Sequence, residues 1–125
     1  MAVILIVDDD PTVRLIAKEL LRVGGHAVLE AEDGDDALKI ADSITVDLVV
    51  LDMLMPNKDG LEAIFELRKR QPHIRILAIS SGGRMDQGLL LRTAMAFGAD
   101  ESLEKPLRLE TFSRIVNQLL DRPSR

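Results

Sequence analysis

Cysteine, tryptophan and tyrosine are absent from this 125-residue chain, and phenylalanine occurs only three times. Without cysteine there are no disulfides and no thiolate metal centres, although this alone fixes no compartment. Without tryptophan or tyrosine, folding must be followed by calorimetry or dichroism instead of intrinsic fluorescence. No apolar run approaches the roughly 20 residues of a membrane span. The opening Met1-Ala-Val-Ile-Leu-Ile-Val7 has no basic leader and runs straight into aspartates, so it reads as a strand and not as a signal peptide. A cytoplasmic location without membrane contact is therefore expected. Sixteen basic residues are scattered among twenty-one acidic ones, for a net charge of −5. They form no basic stripe, so no direct nucleic-acid binding is expected of this segment. The Gly-rich phosphate loop of dinucleotide-binding folds is missing after the first strand, where aspartates stand instead. With no repeat, linker or low-complexity tract, the length fits one domain over residues 1–121, followed by a short tail at 122–125.

What the chain does have is a series of apolar runs that end in polar, chemically capable residues. Asp47-Leu-Val-Val-Leu-Asp52 has the uninterrupted β-forming character of a strand buried on both faces. A carboxylate at its carboxyl tip needs a cation, a proton or water beside it. Val3-Ile-Leu-Ile-Val7 likewise runs into Asp8-Asp9-Asp10-Pro11, and Ile74-Arg-Ile-Leu-Ala-Ile79 ends in Ser80-Ser81-Gly82. A short segment, Ser102-Leu-Glu104, leads into Lys105-Pro106. In an open α/β sheet ligands sit outside the carboxyl ends of the strands, so these tips are expected to converge on one crevice.

Helical periodicity fills the spaces between the strands, the pattern of βαβ units around a parallel sheet. Asp10 is placed to cap the first helix with Pro11 in its first turn. Val13, Ile16, Ala17, Leu20 and Leu21 then recur at helical spacing until Gly24-Gly25. Val28–Ala31 reads as the second strand, and Asp33-Gly-Asp-Asp36 leads into a short helix with Ala37, Leu38, Ile40 and Ala41. Leu61, Ile64, Phe65 and Leu67 mark a third helix closed by Gln71-Pro72, and residues 88–97 a less regular fourth. Leu109, Phe112, Ile115, Val116, Leu119 and Leu120 form one stripe on the last. Met53, Met55, Met85 and Met95 read as gap-fillers, and His26 and His73 as solvated turn residues.

Asp8-Asp9, Asp52 with Met55-Pro56 and Asp59-Gly60 beyond it, Ser80 and Lys105-Pro106 occur in this order at successive strand ends. In this the chain resembles the receiver domain of bacterial two-component response regulators, of the chemotaxis-regulator kind, over almost its whole length. The resemblance implies a flavodoxin-like α/β fold, a doubly wound five-stranded parallel sheet of order 2-1-3-4-5 with five helices. It implies that Asp52 takes a phosphoryl group from a phosphohistidine on a sensor histidine kinase or histidine phosphotransfer protein. Asp8, Asp9, Asp52 and the backbone carbonyl of Leu54 would hold Mg²⁺, a hard cation that needs only a few carboxylates beside water. Lys105 and the Ser80 hydroxyl would meet the phosphoryl oxygens. Such a domain catalyses only its own phosphorylation and dephosphorylation. It signals to a downstream protein through its fourth helix, fifth strand and fifth helix. Ser102 stands where the family carries a fifth-strand aromatic, and Phe97 is assigned to core packing. Leu54 and Gly82 flank the path of an attacking water without a side chain able to orient it, so slow autodephosphorylation is expected. The tail composition separates a stand-alone regulator from a piece of a longer one in neither direction.

Taken singly, each motif has a plainer reading. Asp10 is first of all a helix cap, Asp8 or Asp9 alone could be one too, and Asp52 alone could open a turn. Asp8-Asp9-Asp10-Pro11-Thr12 also reads as the Asp-x-Asp-x-Thr motif of haloacid-dehalogenase-type phosphatases, with Asp8 as nucleophile and Asp10 as general acid. That alternative would leave Asp52 and residues 55–60 without a role, and after Lys105 only Glu110 and Asp121 remain to supply its further acidic pair.

Overall fold

In the computed structural model, which describes residues 2–54, 60–80 and 87–122, strands and helices alternate strictly. The strands are β1 (Val3–Val7), β2 (Ala27–Ala31), β3 (Leu48–Asp52), β4 (Arg75–Ser80) and β5 (Glu101–Glu104). Between and after them run α1 (Pro11–Val23), α2 (Gly34–Ser43), α3 (Gly60–Arg70), α4 (Gln87–Phe97) and α5 (Leu109–Asp121). All pairings are parallel and the sheet order is β2-β1-β3-β4-β5. This is the expected doubly wound arrangement.

Because successive side chains of a strand face opposite ways, each central strand feeds two cores. Leu5, Val7, Val49, Leu51, Ile76 and Ala78 pack on one side with α2, α3 and α4. Ile4, Ile6, Leu48, Val50, Leu77 and Ile79 pack on the other with Ala17 and Leu21 of α1 and Phe112, Ile115, Val116 and Leu119 of α5. The continuous apolar runs of β1, β3 and β4 follow from this two-sided burial. Asp10 caps α1 as expected, its Oδ1 accepting from Thr12 N at 2.9 Å. Asp33 does the same for α2 through Asp36 N.

Several side chains read as core lie outside it. Ile16, Phe65 and Leu109 are exposed, as are Met95 and Phe97 on α4. A helix resting on a sheet buries a narrow stripe, and residues at the stripe's edge satisfy the same spacing without being covered. Phe65 is instead overlain by the Lys69 ammonium, 5.3 Å from the ring centroid. Met53 is buried and does fill the core. His73 is exposed, whereas His26 is half-buried and its Nδ1 accepts from Ala2 N at 3.4 Å. The strands β2, β4 and β5 are each offset by about one residue from their expected starts, the usual latitude of strand ends. Arg122, just past α5, bonds to Asp100 O and Glu101 Oε2. The expectations for Met55, Pro56, Asp59, Ser81, Gly82, Met85 and residues 123–125 lie outside the described residues.

Candidate phosphoacceptor and metal site

The parallel register brings the carboxyl tips of β1, β3, β4 and β5 together. Asp52 closes β3 opposite Ile79, Ser80 closes β4 opposite Glu104, and Lys105 N bonds to Ser80 O at 2.8 Å. Asp8 follows β1, its amide bonded to Ala31 O at 3.2 Å. Asp8, Asp52 and Ser80 are the buried polar residues among those described. Asp9 is exposed at the rim, yet one carboxylate oxygen from each of Asp8, Asp9 and Asp52 lies within 4.8 Å of the others. Gly60, at the start of α3, packs against Met53, just past the end of β3. A Cβ there would stand 2.6 Å from Met53 Cα, so no larger residue fits between the end of β3 and the start of α3.

Lys105, whose peptide bond to Pro106 is cis, reaches across this cluster. Its Nζ lies 2.8 Å from Asp8 Oδ2 and 3.7 Å from Asp52 Oδ2. The ammonium is thus engaged chiefly with Asp8, a pairing that strand-end order alone does not reveal. Asp8 Oδ1 accepts from Asp10 N at 2.9 Å, while Oδ2 is buried with no hydrogen bond of suitable angle beyond the ionic contact. Asp52 Oδ1 accepts from Leu54 N at 3.2 Å. Burial, and then the Asp8 charge, push the Asp52 carboxyl up from 3.8 to about 6; Lys105 and the Leu54 N–H pull it down, and Asp9 raises it slightly.

A desolvated carboxylate, a second with a poorly satisfied oxygen and a third at the mouth form a donor set short of positive charge. The donors are all hard oxygens, so the residues present fit a small divalent cation better than a soft or nitrogen-seeking one. Asp10 takes no part, because its carboxylate is committed to the α1 cap, which deprives the phosphatase arrangement of its general acid.

A raised carboxyl pKa makes the folded state bind the proton more tightly than the unfolded chain does. Asp52 therefore favours the fold fully below about pH 4, and this contribution is lost as pH rises to about 6. Metal-free wild type is expected to lose roughly 1–3 kcal/mol across that window relative to Asp52→Asn. Urea melts of both proteins at pH 4 and pH 7 check this, and parallel pH dependences would contradict it.

The match to the response regulator receiver domain family covers residues 4–117. The transcriptional regulatory protein CpxR of Klebsiella pneumoniae is 40% identical over 103 residues, which are 82% of this chain and 42% of CpxR. A response regulator receiver domain protein from Clostridium thermocellum is 30% identical with a TM-score of 0.87, over 97% of this chain and 95% of that one. The response regulator TrrA of Thermotoga maritima, solved in complex with Mg²⁺ and BeF, is 33% identical with a TM-score of 0.83, over 95% and 99%. The chain belongs to the receiver domain family of two-component response regulators. It spans less than half the length of CpxR. No helix among the described residues is long and apolar enough to cross a membrane.

Proposed function

We propose that Asp52 is the phosphoacceptor of this receiver, taking its phosphoryl group from a phosphohistidine on a sensor histidine kinase or a histidine phosphotransfer protein. The observation that carries this reading is the buried Asp52 carboxylate at the centre of the strand tips, with Asp8, Asp9 and Lys105 around it. A carboxylate oxygen of Asp52 attacks phosphorus, the new O–P bond replaces the N–P bond, and the electron pair leaves with the imidazole nitrogen. Asp8, Asp9, Asp52 and the Leu54 carbonyl would hold Mg²⁺, which when bound neutralises phosphoryl charge and orients its oxygens. Lys105 supplies a further positive charge from the β5 side, and Ser80 a hydroxyl from the tip of β4. The unit so defined runs over residues 1–121, works in the cytoplasm where kinases draw on ATP, and acts on no substrate but itself. Its output passes to a downstream protein through α4, β5 and α5; Leu89, Met95 and Phe97 of α4 are exposed.

Treatment with a small phosphodonor and Mg²⁺, followed by mass mapping, should place one phosphoryl group on Asp52. Label on Asp8 would overturn the assignment. Ser80→Ala removes one hydrogen bond worth about 1 kcal/mol net, so its labelling rate should stay within roughly tenfold of wild type. Labelling as poor as that of Asp52→Asn would refute this division of roles.

A further inference from the structure

Arg14 is the residue of α1 that reaches back to the acidic site. Its side chain is only 15% exposed and runs toward the N-terminus of the helix, the direction in which helical side chains lean. Nη1 donates to the carbonyl oxygen of Asp8 at 2.7 Å, and Nε donates to Glu30 Oε1 on β2 at 3.2 Å. Lys18 Nζ lies 3.6 Å from Glu30 Oε2, a contact open to solvent. The carbonyl that Arg14 grips belongs to the peptide joining Asp8 to Asp9. Asp8 is already fixed at its amide by Ala31 and at its carboxylate by Asp10 N and Lys105. The plane of the next peptide, and with it the direction in which the exposed Asp9 leaves the chain, is fixed from the carbonyl side by Arg14.

We propose that Arg14 is a positioning residue for the cation site, holding the Asp8–Asp9 peptide so that the Asp9 carboxylate faces those of Asp8 and Asp52. This inference rests on the reading that these three carboxylates hold Mg²⁺. Its sign distinguishes it from simple charge effects. A guanidinium close to a cation site repels the cation, so a purely electrostatic role predicts tighter Mg²⁺ binding when Arg14 is removed. A positioning role predicts weaker binding. Lys18 is the control, a cation on the same helix that shares Glu30 but does not touch Asp8.

The Mg²⁺ dissociation constant of unphosphorylated protein, measured by titration calorimetry at a temperature where every variant is folded, separates the two. Arg14→Ala is expected to weaken binding by about tenfold, the scale of one lost charge-assisted hydrogen bond. Arg14→Lys, which can reach one acceptor but not span both, should recover part of the loss. Arg14→Gln, which like Arg14→Ala removes the positive charge but keeps a longer polar side chain, should weaken binding less than Arg14→Ala, and it keeps the test open if that variant folds poorly. Lys18→Ala should leave the constant unchanged or slightly tighter. Wild-type binding with unchanged or tighter binding in Arg14→Ala and Arg14→Gln overturns the positioning role and leaves the Mg²⁺ site standing. No saturable binding by wild type overturns both.

Discussion

Asp52→Asn is expected to reduce phosphoryl uptake from a small phosphodonor below detection and, at pH 7 without metal, to make the protein more stable than wild type. The loss follows because the amide is no nucleophile, and Asp52 is the residue that closes β3. The gain follows because Asp52 is ionised at pH 7 in surroundings that hold its carboxyl near 6, a penalty that an isosteric neutral side chain avoids. Lys105 keeps its closer partner Asp8, so the substitution strands no cation. A gain of roughly 1–3 kcal/mol in urea melts is expected, and it should vanish near pH 4, where Asp52 is protonated in the wild-type fold. Mg²⁺ with beryllofluoride is expected to raise the melting temperature of wild type in a saturable way and to leave that of the mutant unchanged. A destabilised Asp52→Asn protein at pH 7 would mean that the carboxylate is satisfied in the metal-free fold.

Lys105→Ala should produce the largest loss of stability. It removes the ammonium 2.8 Å from a fully buried Asp8 and leaves three carboxylates facing one another. Breaking one side of a buried pair costs roughly 3–5 kcal/mol, and the partial exposure of Lys105 reduces this to about 2–4 kcal/mol here. Saturating Mg²⁺ should restore much of it, because a cation held by the same carboxylates replaces the missing charge in the fold and not in the unfolded chain. Phosphoryl uptake should fall as well, since the transition state loses a fixed charge. Thermal melts with and without Mg²⁺ decide the matter. A metal-free Lys105→Ala protein as stable as wild type would show that the Asp8–Lys105 pair contributes nothing to the fold.

The legible part of this molecule lies in its strands. An apolar run buried on both faces reads the same in sequence as in space, and a polar residue that follows it marks the end of the strand. Asp8, Asp52, Ser80 and Lys105 were therefore placed together from order alone. Which cation faces which anion was not legible, because the preference of Lys105 for Asp8 over Asp52 is set by less than an ångström of difference across the gap. Arg14 was missed because an arginine on a solvent-facing helix pattern looks like surface. Its only signal is that its position, one turn beyond the capping Asp10, lets a side chain that leans N-terminally meet the residues before the helix. Ile16, Phe65, Phe97 and Leu109 misled in the other direction, since spacing fixes a helical face but not how wide a strip of it the sheet covers.

Arg68 gives the domain a fixed end. Its guanidinium, near the close of α3, bonds to the carbonyls of Ile74 and Gly98 and to the Asp100 carboxylate, which also accepts from Ile76 N at 2.8 Å. Gly98, with φ of +119°, lets the chain turn into that grip where another residue would be strained. The C-terminal end of α4 and the start of β5 are thus pinned to β4 at the pole opposite Asp52. Helix α4 is about 16 Å long from that anchor to its other end. If the proposed output runs through α4, a displacement at the end of the helix away from Arg68 would reach a partner as a tilt about that anchor.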